Sequence, residues 1–262
     1  MQQDMRKKEK TGMRIIISPA KKMNVDRDSL AVKGMPCFLA ETKILMREIR
    51  KLSLEEAKAL WKCNDKLAEL NFRRFAEMDP EKCLTPALLS YEGLQYQYMA
   101  PGVFTEGALD YAAKHLRILS GFYGVLCPFD GVVPYRLEMQ ARLPVDGKKD
   151  LYEFWGDKLY RRLMEENRDG IILNLASKEY SCAVEPYVKP DCRFVTVCFE
   201  VKSEGKFRQK GTLAKMARGE MVRFLSENGV EDADRVKEFD GMGYRYREEL
   251  SDERKFVFVK DT

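Results

Sequence analysis

At 262 residues the chain can form one large domain or two small ones, and it can bury a full apolar core without disulfide or metal staples. Lys and Arg number 46 against 42 Asp and Glu, a net charge of +4 that is too mild to mark a nucleic-acid binder, so any basic surface has to show itself locally. No apolar run approaches the ~18 residues of a membrane-spanning helix, the basic N-terminus lacks the apolar segment of a secretory signal, and seven cysteines without a C-x-x-C pair fit a reduced, cytoplasmic compartment.

Residues 1–12 are polar and read as a disordered leader ahead of a single domain over 13–262. Residues 14–17 are a β-branched run closed by Ser18-Pro19, a buried strand whose end carries Lys21 and Lys22. Residues 41–52 read as a helix with Leu45, Ile49 and Leu52 on one face. Ser53 and Glu56 form a capping box for a second helix to about residue 62, and Asn64-Asp65 separates it from a third over 66–78. Residues 86–101 are aromatic and turn-rich. A helix through His115 carries Leu109, Ala112, Ala113, Leu116 and Leu119 as its apolar stripe, and residues 121–128 read as a packed turn. Asp150 and Glu153 open a helix whose buried stripe is Leu151, Phe154, Trp155, Leu159 and Leu163. Residues 170–175 read as a second buried strand, and 193–201 as an alternating one with Val195, Val197, Phe199 and Val201 on one face. Thr212 caps a helix ended by Asn228-Gly229, and residues 255–260 form a terminal strand. Helices and strands interleave without a clean βαβ rhythm. The expected class is therefore α/β of the mixed α+β kind: one compact body with a mixed central sheet and flanking helices.

The chemistry-bearing residues fall into three groups. Residues 202–223 hold seven basic side chains against two acidic ones, while 224–262 are net acidic, so the basic charge is segregated. The helix pair around residue 64 carries Lys62, Lys66, Arg73 and Arg74, with Leu67, Leu70, Phe72 and Phe75 taking the other side. It reads either as a solvated amphipathic pair or as a hairpin that sets cations against a phosphate, with Cys63-Asn64-Asp65 tolerating the left-handed turn. The third group joins Ser18 and Lys21 to Arg136, Glu138, Asp157 and Glu179. Ligands gather beyond strand C-termini, so these residues read either as a pocket for a phosphorylated ligand with a carboxylate as acid or base, or as an ion-pair network that organises the fold. His115, the only histidine, sits beside an apolar stripe and reads as a core residue. No P-loop, G-x-G-x-x-G or G-x-S-x-G is present, and no soft-ligand metal set is visible. Cys182 and Cys192 could still meet in space as thiolate ligands, though buried cysteines acting as small hydrophobes are the plainer reading, and a carboxylate site of Glu138, Asp157 and Glu179 also stays open.

Several of these segments resemble, in order, the YaaA family of bacterial peroxide-stress proteins: IISPAKKM (16–23), NDKLAELNFRRF (64–75), HLRILSGFYGVL (115–126), PYRLEM (134–139), LYEFWGD (151–157), NLASKEY (174–180), KMARG (215–219) and Gly243-Tyr244. The resemblance implies a cytoplasmic single-domain fold of its own type, with a helix-hairpin-helix bordering a positively charged cleft. It also implies binding to double-stranded or branched DNA and a role in limiting iron-driven oxidative damage. On this resemblance the helix-hairpin-helix falls on about 54–75 and the cleft on Lys21, Arg136, Lys215 and Arg218. Cys63-Asn64 departs from the usual hairpin turn, and residues 1–12 lie outside the family pattern. The leading expectation is a DNA-binding protein without cofactor or metal, its phosphate contacts drawn from Lys62, Lys66, Arg73, Arg74, Lys21, Arg136, Lys215 and Arg218. The alternative is an enzyme acting on a nucleotide- or sugar-phosphate-like ligand, with Arg136 as anion clamp and Glu138, Asp157 or Glu179 as acid or base.

Overall fold

The computed structural model describes residues 12–260 apart from Glu166, Arg168 and Glu204, so all but the last residue of the expected leader lies outside the described residues. In chain order the elements are β1 (Arg14–Ile17), β2 (Lys22–Met23), α1 (Leu39–Arg50), α2 (Leu54–Trp61), α3 (Asp65–Glu77), β3 (Thr85–Pro86), α4 (Ala87–Ser90), β4 (Tyr91–Glu92), α5 (Leu94–Met99) and α6 (Glu106–His115). There follow β5 (Leu116–Ser120), β6 (Gly124–Leu126), β7 (Gly131–Val132), α7 (Leu151–Trp155), α8 (Lys158–Met164), β8 (Ile171–Leu175) and α9 (Lys178–Ser181). The chain closes with β9 (Arg193–Ser203), β10 (Lys206–Arg208), α10 (Gly211–Glu227), β11 (Tyr244–Tyr246) and β12 (Lys255–Lys260).

The main sheet has the order β11-β12-β9-β8-β1-β5-β6, with β10 also paired to β9. The five inner strands β12, β9, β8, β1 and β5 run parallel, whereas β11, β6 and β10 join antiparallel. The sheet is thus mixed, with a parallel centre. Parallel strands covered on both faces are apolar at nearly every position, and all four residues of β1 and all five of β5 are buried. Ile15 sits in register with Leu116 on one side and Leu173 on the other, so β1 is an interior strand between β5 and β8. Helix α10 packs on α5, α6 and β9. Among the described residues no helix is long and apolar enough to cross a membrane, and all seven cysteines are free thiols.

The structure departs from the sequence reading at several joints. The helix through His115 stops there, and Leu116–Ser120 is β5. A short apolar run buried on both faces has no period that separates helix from strand. The helix after Asp150 is two helices, because Gly156 adopts φ +50° and turns the chain between α7 and α8. Thr212 does not cap α10. Lys210 precedes its first turn without a side-chain cap.

His115 is buried as expected, stacked on Tyr111 at 4.3 Å, with Nδ1 donating to the Met13 carbonyl at 2.9 Å. Burial lowers its pKa below the ordinary 6.5, outweighing the Met13 hydrogen bond and the charge of Glu231, while Arg14 and Lys114 push the same way as burial. The unfolded chain therefore binds the extra proton, and His115 contributes stability above pH 6.5 that is lost as pH falls through and below that value. The urea midpoint should fall between pH 7.5 and 5.5 more steeply in the wild type than in His115→Gln, which keeps a donor for Met13. Equal slopes would refute the assignment.

Candidate functional site

Parallel strands end side by side, and β1 and β8 end together with Ile17 in register with Leu175. The two chain segments leaving them are tied at once. The Ser177 N–H donates to Ser18 Oγ at 2.8 Å, and Ser18 Oγ donates to Ser177 Oγ at 3.2 Å. The Tyr96 hydroxyl, from α5, donates to the Ser18 carbonyl at 3.0 Å. Beyond these ties Lys21 and Glu179 face a common space.

A third wall is the extended segment 134–139. Its alternation puts Arg136 and Glu138 on one side. The opposite side is anchored by the Tyr135 hydroxyl, which lies 2.8 Å from the Tyr91 hydroxyl and 2.6 Å from Ser120 Oγ. Gly121 allows this approach, since a Cβ there would stand 2.6 Å from the Leu137 carbonyl. The fourth wall is α5 with α10, which presents Gln95, Lys215 and Arg218. The helices meet at Gly219, where a Cβ would fall 2.1 Å from the Gln95 carbonyl.

These walls enclose a cleft of about 390 Å³. Glu138 is buried in it and accepts from Arg136 Nη2 at 2.9 Å and Lys21 Nζ at 3.2 Å. Arg136 also reaches the carbonyl of Trp61, the last residue of α2, at 3.4 Å, so the α2–α3 pair abuts the cleft. On the outer rim Lys22 pairs with Glu92 at 2.5 Å. Burial raises the pKa of Glu179, and the nearby Glu138 charge adds to it. N–H groups of Gln140 and Met139 and the Lys21 charge oppose the rise. Arg218 is 8% exposed and has no hydrogen-bond or carboxylate partner among the described residues, and burial pulls its pKa below the usual arginine value.

Of the residues singled out from sequence, Lys21, Arg136, Glu138, Glu179, Lys215 and Arg218 converge here. Asp157 does not. It is half-exposed, pairs with Arg161 at 2.9 Å and opens α8, because the turn at Gly156 carries it out of reach. The three-carboxylate arrangement is thus not formed, and among the described residues no group of three His, Cys, Asp or Glu could hold one ion. Lys62, Lys66, Arg73 and Arg74 lie on the helix pair outside the cleft walls. The left-handed residue of that turn is Lys62 (φ 46°), whereas Asn64 is extended and caps α3 by accepting from the Leu67 N–H at 3.0 Å. Asp65 forms an ion pair with Lys58 across the turn.

The face of α3 also differs from the expectation. Ala68, Asn71 and Phe75 are buried, and Leu67, Leu70 and Phe72 are exposed. Phe75 stacks on Trp61 at 5.7 Å and meets Phe122 edge-on at 5.4 Å, which sets the rotation of the helix. Arg74 is part-buried and donates to Asn71 Oδ1 at 3.3 Å. Gln95 escaped the sequence reading, since a neutral amide in a short helix carries no signal of its own.

A family profile described as "Peroxide stress protein YaaA" matches residues 13–250. The chain belongs to this family. Its relatives include UPF0246 proteins of Lachnoclostridium phytofermentans (54% identical over 248 residues, 95% of this chain and 96% of the relative) and Agathobacter rectalis (52% over 248 residues, 95% and 99%). A third, from Pediococcus pentosaceus, is 51% identical over 249 residues, 95% of this chain and 98% of the relative. The residues that line the cleft, from Ser18 to Arg218, all fall within the matched span.

Gly219→Ala tests the contact that sets the cleft. Alanine would gain ~0.5–1 kcal/mol of helix propensity, but its methyl meets backbone, which cannot swing aside, and overpacking of this kind costs ~1–3 kcal/mol. The clash should win, lowering the urea midpoint. A variant as stable as the wild type would show that α5 and α10 can separate freely.

Proposed function

We propose that this peroxide-stress family member binds duplex or branched DNA through its backbone phosphates in the cytoplasm, and so limits iron-driven damage. One observation supports the reading. Lys215 and Arg218 in the cleft, and Lys62, Lys66 and Arg73 on the helix pair that abuts it, have no carboxylate partner among the described residues. Neighbouring cations such as Lys22, Lys58 and Lys178 are each neutralised by an acidic side chain. An unpaired cation keeps its field for a polyanion, and phosphate contacts position DNA without reading its sequence.

For the three helix-pair cations as phosphate contacts, duplex affinity should fall on the order of 40-fold between 50 and 200 mM salt. The Lys62→Ala, Lys66→Ala, Arg73→Ala triple variant should bind more weakly with a shallower salt slope, by about one unit per cation. Its folding should be unaffected because these side chains are not in the core. Gel-shift titrations with duplexes of unrelated sequence at four salt concentrations measure both. A flat salt response, or no duplex binding at low salt, would sink the reading.

A further inference from the structure

Three side-chain nitrogens lining the cleft are buried and lack a partner among the described residues: Arg218 Nε, Arg136 Nε and Gln95 Nε2. Native proteins seldom leave such donors orphaned, and a buried cation calls for a counter-charge. Of the three carboxylates lining the cleft, Glu138 accepts from both Lys21 and Arg136, Glu92 pairs with Lys22 on the rim, and Glu179 accepts from the Gln140 N–H; none of them is paired with Arg218. Arg218 and Gln95 are 8% and 7% exposed and both line the cleft beside the tight α5–α10 contact at Gly219, with Lys215 one turn before Arg218 on the same helix face.

We propose that the floor of the cleft is a binding site for a single phosphomonoester group, held by Arg218 and Lys215, with the Gln95 amide donating to a further acceptor of the same ligand. Two unpartnered cations match a phosphomonoester dianion, whereas a monocarboxylate would leave one of them unbalanced. A volume of about 390 Å³ lies in the range of small-molecule sites and suits a ligand the size of a mononucleotide. A continuous duplex backbone is convex, and it brings no internal phosphate to so buried a guanidinium without extruding a nucleotide. The group is therefore that of a free nucleotide or of a strand's terminal phosphate. This inference rests on the phosphate reading of the cleft given above and narrows it: the duplex contacts fall to the helix pair, and the floor takes one end group.

The test is calorimetry and thermal denaturation of the full chain with inorganic phosphate, adenosine monophosphate, adenosine, and a short single strand with and without a 5′-phosphate. The wild type should bind adenosine monophosphate and not adenosine, or the 5′-phosphorylated strand in preference to its 5′-hydroxyl copy. The first result assigns the site to a free nucleotide and the second to a strand end, and either supports it. Arg218→Met should weaken this binding by on the order of tenfold to a hundredfold. Without ligand it should melt cooperatively at or above the wild-type temperature, because an uncompensated buried charge has gone. Lys215→Ala, at an exposed position, repeats the test without touching the fold and should weaken binding in the same direction. The triple variant of the helix pair should bind adenosine monophosphate or the phosphorylated strand like the wild type even as it loses duplex, so failure of the DNA reading is distinguishable from failure of this one. Absence of phosphate-dependent binding at millimolar ligand, or binding undiminished by both Arg218→Met and Lys215→Ala, would overturn the proposal.

Discussion

The close approach of α10 to α5 at Gly219 is the constraint on which the rest of the site depends. With no room for a side chain between Gly219 and the Gln95 carbonyl, the two helices are held at one separation. From that contact the positions propagate by short steps. Tyr96, next to Gln95, hydrogen-bonds the Ser18 carbonyl, and Ser18 is tied to Ser177. One helix crossing thereby fixes the distance between the cations of α10 and the ends of the two central strands. Loops alone would leave this spacing loose. Here it is set by backbone packed on backbone.

Within that frame the charges are distributed unevenly. Glu138 is surrounded by Lys21 and Arg136 and is locally balanced. Arg218, on the other wall, is not. The local rule that buried charge is paired is kept on one side of the cleft and broken on the other, and such breaks concentrate where a protein binds something. An ion-pair network serving only to organise the fold would account for Glu138. It offers no account of Arg218.

The legibility of the fold followed the physics of each element. β1, β8, β9 and β12 were plain because buried parallel or alternating strands announce themselves in side-chain type. Residues 116–120 were not, since a helix leading straight into a buried strand offers one unbroken apolar pattern with no turn residue between. Arg136 and Glu138 could be placed on one side because extended backbone alternates, and the structure pairs them at 2.9 Å. Asp157 was misplaced because the reading carried a helix through Gly156, whose positive φ redirects everything after it. The rotation of α3 was missed for a different reason. Ala68 and Asn71 are buried there while Leu67 and Leu70 are exposed, and only the partners of Phe75, far away in sequence, decide between the two faces. Gln95 acquires meaning solely from what surrounds it.

The interior place of β1 in the sheet bears on how the chain is made. Its Ile15 leaves the ribosome well before either of its two sheet neighbours, Leu116 and Leu173. Pairings of such sequence separation require large loops to close before any contact rewards them. The first strand therefore waits, apolar and unpaired, with both hydrogen-bonding edges open to other chains until β5 is made, and one edge stays open until β8 follows. A nascent chain of this design depends on its early helices to shelter β1, or on chaperones, until β8 arrives to close the sheet.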